Sequence, residues 1–100
     1  MSKFINLRAA QGHTFRYQRS QLGAAQTISA LFDAQMIDEL TDQPEATHTR
    51  IYLGEDEEGR LTFVLVGVDK LGNDILPGLV LNSPDLTPPF SGDARSPLVM

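Results

Sequence analysis

The sequence predicts an α+β domain in which two N-terminal helices pack on a three-stranded antiparallel β-meander, followed by an extended, proline-containing C-terminal tail. Three observations carry that expectation. Two segments in the first 41 residues place apolar side chains at helical spacing. Two turns of one grammar, Asp56-Glu57-Glu58-Gly59 and Asp69-Lys70-Leu71-Gly72, stand thirteen residues apart and bracket an apolar run. From Asn82 onward the composition shifts to Pro, Ser, Asp and Gly.

The first helix is predicted from Leu7 to about Ser20. Asn6 is placed to cap it, and Leu7, Ala10, Thr14 and Tyr17 follow at helical spacing. Gly12 weakens it by about 1 kcal/mol relative to Ala, so it must rely on packing. "SQLGAAQT" then reads as a small-residue linker. The second helix is predicted over Ala34–Thr41. Asp33 stands at the N-cap, and Phe32 and Ile37 have the spacing of a hydrophobic staple. Met36, Ile37 and Leu40 form its apolar stripe, and Pro44 ends it.

The strands are predicted at about Thr47–Glu55, Arg60–Val68 and Asn73–Leu81. Each turn offers Asp at its first position and, at its fourth, a Gly free to take the left-handed conformation of a G1 bulge. Closing the first hairpin on Asp56 and Arg60 sets Leu53 opposite Phe63 and Ile51 opposite Leu65 on one face, with Tyr52 opposite Val64 on the other. Closing the second on Asp69 and Asn73 sets Ile75 opposite Gly67, whose missing side chain it can replace. The middle strand is apolar on both faces, as a central strand is when both are covered. Pro77 cannot donate to a ladder, which places the third strand at an edge. The domain is accordingly expected over residues 1–81, with 82–100 as the tail, whose hydrophobic anchors are Phe90, Leu98 and Val99.

The chain has 100 residues, 41% of them hydrophobic and 21% charged, within the range of a single globular domain. It has no cysteine, which excludes disulfides, thiolate catalysis, iron–sulfur clusters and thiolate zinc sites. The N-terminal residues lack the apolar core of a secretory signal, and the apolar stretch Phe63–Val68 is too short to cross a bilayer. A cytoplasmic location and no membrane contact are expected. Net charge is −5, unevenly spread: residues 1–32 carry +4 from Lys3, Arg8, Arg16 and Arg19, and residues 33–100 carry −9.

The segments "MSKFINL", "RIYLGEDEEGRLTFVLVGVDKLGNDIL" and "TPPF" give the chain a further handle. With its Met-Ser-Lys-Phe-Ile opening, Ile-Tyr-x-Gly hairpin and Val-Gly-Val-Asp strand end, the chain resembles an uncharacterised family of small bacterial proteins. That resemblance implies a fold pattern of helix and hairpin and brings no activity with it.

No residue set converges on a reaction. Glu55, Asp56, Glu57 and Glu58 are four consecutive acids, but they lack the alternating ligand spacing and distal Glu of a calcium loop. Neighbouring residues in a tight turn point their carboxylates apart, so the run reads as a solvated turn. Asp74, at the start of the third strand, is the least ordinary acid and reads as a turn cap or a solvent-facing group. His13 and His48 have no nucleophile turn to serve, and no Gly-rich phosphate loop is present. Catalytic residues, cofactors and metals are therefore expected to be none, and the chain is expected not to be an enzyme. Three short strands and two short helices leave a sheet face under-covered, and such patches mark association surfaces. The leading expectation is a protein-interaction module with an unidentified protein partner or a second copy of itself. Its surface is expected to draw on Arg8, Arg16, Arg19, Tyr52, Val64, Val66 and Phe90. A small-ligand or regulatory domain with a pocket between helices and sheet is the alternative. A nucleic-acid accessory role through the basic first helix is a minor third, since the acidic remainder repels phosphate.

Overall fold

A computed structural model of the chain describes residues 2–20, 27–88 and 95–100. In chain order its elements are α1 (Leu7–Ser20), β1 (Ser29–Ala30), α2 (Ala34–Thr41), β2 (His48–Glu55), β3 (Leu61–Val68), β4 (Val80–Asn82) and β5 (Leu86–Thr87). The fold is α+β with antiparallel sheets. One sheet has the order β2-β3-β4, and β1 pairs with β5 in a second, two-stranded sheet.

The β2–β3 hairpin forms in the expected register, with Leu53 opposite Phe63, Tyr52 opposite Val64 and Ile51 opposite Leu65. Its turn is locked by Asp56, whose Oδ1 accepts the backbone N–H groups of Glu58 at 2.9 Å and Arg60 at 2.8 Å, while Gly59 takes φ +80°. The second turn repeats this: Asp69 Oδ1 accepts from Leu71 and Asn73, and Gly72 has φ +88°.

After that turn the chain departs from the expected strand Asn73–Leu81. Asp74 bridges Val68, and the Ile75 N–H donates to the Gly67 carbonyl at 2.9 Å. The segment 76–79 then swings out of the ladder, and pairing resumes with Leu81 opposite Leu65. Simple continuation from the turn would have set Pro77 opposite Leu65, a residue with no N–H to give. The excursion substitutes Leu81 and preserves the inside–outside alternation, because an even number of residues is looped out. Gln43, just past α2, holds it: Nε2 donates to the Leu40 carbonyl and Oε1 accepts the Leu79 N–H, each at 2.8 Å. Gly78 is required here, since a Cβ would strike the Ile75 carbonyl oxygen and lie 2.9 Å from Gln43 Oε1.

Helix α2 packs on β3 and β4, burying Leu40 with Leu65 and Leu81, and Phe32, Ile37 and Phe63 close around them. Asp33 occupies the N-cap position with extended backbone (φ −66°, ψ 127°), but its side chain makes no capping hydrogen bond, contrary to expectation. Phe32 and Ile37, on either side of that position, both pack against the core cluster, and the Ile37 N–H donates to the Asp33 carbonyl at 3.1 Å.

Two expectations are corrected. Helix α1 does not cover the meander and has no buried residue. Its apolar stripe has only Leu7 and Tyr17 as large members, too little to hold it on a sheet. Asn6 does cap it, accepting the Ala9 N–H at 2.8 Å. Hydrogen bonds tie it to other segments: Tyr17 Oη donates to the Thr27 carbonyl, Gln11 Nε2 to that of Pro97, and Gln18 bonds both Leu98 and Met100. The boundary expected after Leu81 is also displaced, because Asn82 belongs to β4 and Leu86 is buried in β5. Ser83 Oγ donates to the Leu31 carbonyl and Thr27 Oγ1 to that of Leu61, which ties the β1–β5 pair to the start of β3. The first stretch of the supposed tail is thus part of the fold.

Candidate functional site

The site follows from how far α2 reaches. An eight-residue helix is about 12 Å long, and strands lie about 4.8 Å apart. Helix α2 sits over β4 and β3, so one cross-strand row runs from beneath it into solvent. Along that row Leu81 is 7% exposed, Leu65 6% and Ile51 59%, and in the adjoining row Leu53 is 70% exposed beside half-buried Phe63. The apolar stripe is cut off at β2.

The backbone of β2 is open as well. The Asp56 N–H donates to the Arg60 carbonyl at 2.9 Å, which fixes the alternation of the ladder. Gly54, Tyr52 and Arg50 direct their N–H and C=O groups toward β3. Thr49, Ile51, Leu53 and Glu55 direct theirs outward, and among the described residues no strand pairs with that side. Natural sheets blunt such rims with shortness, proline, bulges or charged side chains, lysine above all. "HTRIYLGE" has no proline, lysine or bulge, and of its two formal charges Arg50 is bound to Asp74 and Glu55 stands at the turn.

The opposite face of β2 is built differently. Asp74 accepts hydrogen bonds from the Arg50 guanidinium and from Tyr52 Oη, the latter at 2.5 Å, while Arg50 Nη2 also donates to the Gly72 carbonyl at 3.1 Å. Arg50 lies opposite Val66 and Asp74 beside Val68, so this polar strap crosses the sheet over buried valines. The Tyr52 hydroxyl and the Asp74 carboxylate raise the Arg50 pKa above its ordinary value. Their effect is to fix Arg50 and Tyr52 in place along the rim. Asp74 is therefore neither a turn cap nor a free acid.

The residues expected to form the surface are dispersed. Arg8 and Arg19 lie exposed on α1, and Arg16 bonds His13 of its own helix at 2.8 Å. None of the three forms an ion pair with the acids of α2 among the described residues. Val66 is a correction: at 3% exposure it is part of the core. Val64 is half-buried and lines a depression with Thr62 and Leu86, where the folded-back 83–87 segment approaches the sheet. Phe90 lies outside the described residues. Tyr52 alone of the expected sheet residues stands at the open rim.

Ile51 and Leu53 are absent from the surface expected from the sequence, although they stand exposed opposite Leu65 and Phe63. The signal that could have found them is the brevity of the second helix. The acid run 55–58 is absorbed by the turn, with Asp56 also bonded to Arg60 Nε at 2.9 Å and Glu58 within 3.5 Å of Arg60 Nη2. Among the described residues no group of three His, Asp or Glu is placed to hold a metal, and no helix is long and apolar enough to cross a membrane. A shallow depression of about 470 Å³, lined by His48, Arg50, Val68 and Lys70 among others, lies at the rim of the sheet rather than between α2 and the sheet. No family model, curated protein or solved structure matches the chain.

Proposed function

We propose that this chain is a non-enzymatic protein-interaction module that works by strand addition at β2. The observation that carries the reading is the coincidence of unpaired outward backbone with the exposed side chains of Ile51, Leu53 and Tyr52 on one eight-residue rim. Main-chain hydrogen bonds supply affinity in this mode of recognition, and alternate side chains supply specificity. The rigid Asp56 turn and the Arg50–Tyr52–Asp74 strap keep the strand extended before a partner arrives, which lowers the ordering entropy lost on binding.

Selection of peptides from a random library on dilute, immobilised protein tests the reading. Selected peptides should bind in extended form and lose at least tenfold in affinity to Ile51→Lys, while Leu71→Lys, an exposed change in the second turn, leaves them unaffected. Peptides that ignore Ile51→Lys would locate recognition elsewhere and overturn the reading.

A further inference from the structure

The partner strand that best fits this rim is the rim itself. Resting on strand addition at β2, we infer that two copies pair β2 against β2 antiparallel, with the two-fold axis at Tyr52, to form a continuous six-stranded sheet.

The register follows from the outward groups. Thr49, Ile51, Leu53 and Glu55 point outward, so hydrogen-bonded pairs across the interface must join odd-numbered residues. Three axes near the middle of the strand satisfy this. An axis at Ile51 sets Leu53 opposite Thr49, leaving a large apolar side chain beside a small polar one. An axis at Leu53 sets Ile51 opposite Glu55. An axis at Tyr52 sets Ile51 opposite Leu53 twice, Thr49 opposite Glu55, Arg50 opposite Gly54 and His48 opposite Asp56. Apolar meets apolar at each large position, and the long Arg50 side chain meets the residue with none. Tyr52 meets its own copy in a non-hydrogen-bonded pair, where side chains come closest. The row Leu81–Leu65–Ile51 then continues into Leu53–Phe63 of the second copy. The stripe that α2 leaves unfinished is completed.

Charge selects the same orientation. Each copy carries −5 and concentrates four acids in the Glu55–Glu58 turn. Antiparallel pairing about Tyr52 puts Glu57 five residues from the axis in each copy, so the two turns stand about 34 Å apart, several times the Debye length of about 8 Å in physiological salt. Parallel pairing would set them side by side.

The absence of cysteine makes the test clean. Residues facing each other across a non-hydrogen-bonded pair lie about 4.5 Å apart at Cα, within disulfide range. Tyr52→Cys should oxidise to a linked dimer at least tenfold faster than Arg50→Cys or Gly54→Cys, whose copies are displaced by four residues along the strand. Because Tyr52→Cys also removes the bond to Asp74, a mixture of Ile51→Cys and Leu53→Cys chains provides the second arm. In an equal mixture the mixed dimer should exceed the sum of the two self-linked products at least tenfold, whereas random collision makes it equal that sum. Equal rates at all positions would mean random collision and overturn the inference, as would linkage of Ile51→Cys to itself ahead of the mixed product. Monomer at millimolar concentration in light scattering would also overturn it. In that event peptide binding sensitive to Ile51→Lys would still uphold strand addition with a different partner.

Discussion

The two rims of the three-stranded sheet belong to one structure and solve the edge problem in opposite ways. β4 is three residues long, lies between Pro77 and Pro84, and is tied to α2 through the Gln43–Leu79 bond. Too little strand is offered there for another chain to pair with. β2 runs for eight residues without proline or lysine and presents Ile51 and Leu53 beyond the reach of α2. The same helix explains both: its short length suffices for β4 and β3 and stops before β2. Protection at one rim and exposure at the other teach that the open edge is a property of this rim and not of a loosely built sheet.

The largest effect separates inward from outward backbone within β2. Tyr52→Pro deletes an N–H that faces β3, leaves a Val64 carbonyl unpaired, and should lower stability by about 1–3 kcal/mol in denaturant unfolding. Ile51→Pro deletes an outward N–H and should leave the chain folded while self-association falls at least tenfold. Equal destabilisation by both would show that the rim is not open. At β4, Gly78→Ala should destabilise by about 1–3 kcal/mol by forcing the 76–79 excursion off the Ile75 carbonyl, and it should leave pairing at β2 unchanged. A loss of association in Gly78→Ala would couple the two rims and weaken the contrast.

A smaller effect concerns the turn that sets the β2 register. The Arg60 backbone N–H first, then that of Glu58 and the Arg60 guanidinium, hold the Asp56 carboxyl below the ordinary aspartate value. A carboxyl with a depressed folded pKa contributes stability above its unfolded pKa and loses it as pH falls through the folded value. The first turn should therefore loosen on acidification below about pH 4, read from the Gly59 and Arg60 amide shifts. Asp56→Asn keeps the Oδ1 acceptor and should flatten that dependence.

How much of this was legible in the sequence differs between the two hairpins. Asp56 and Gly59 are local determinants, and they set the whole β2–β3 ladder residue by residue. Asp69 and Gly72 set only the first step of the second hairpin, as far as Ile75 beside Gly67, where Ile75 Cδ1 lies 3.6 Å from the position a Cβ would take. Beyond it the path depends on Gln43, more than thirty residues away in sequence, and no local pattern encodes that bond. The β1–β5 pairing was hidden for a similar reason: each strand has two residues, and the Thr27 and Ser83 hydroxyls that anchor them mark no period. The candidate site was half legible. The small number of short elements implied an under-covered sheet without saying which face is bare, and Val64 and Val66, expected at the surface, lie on the side that the strap and the folded-back 83–87 segment cover.

Amide hydrogen exchange across β2 as a function of protein concentration tests the open rim most directly. At low concentration Arg50, Tyr52 and Gly54 should be protected, and Thr49, Ile51 and Leu53 should exchange near the rate of unstructured chain. Raising the concentration should slow those three amides together and leave Val80 of β4 unchanged. Protection of Thr49, Ile51 and Leu53 already present in the dilute monomer, or fast exchange of all three at every concentration, would contradict pairing at this rim.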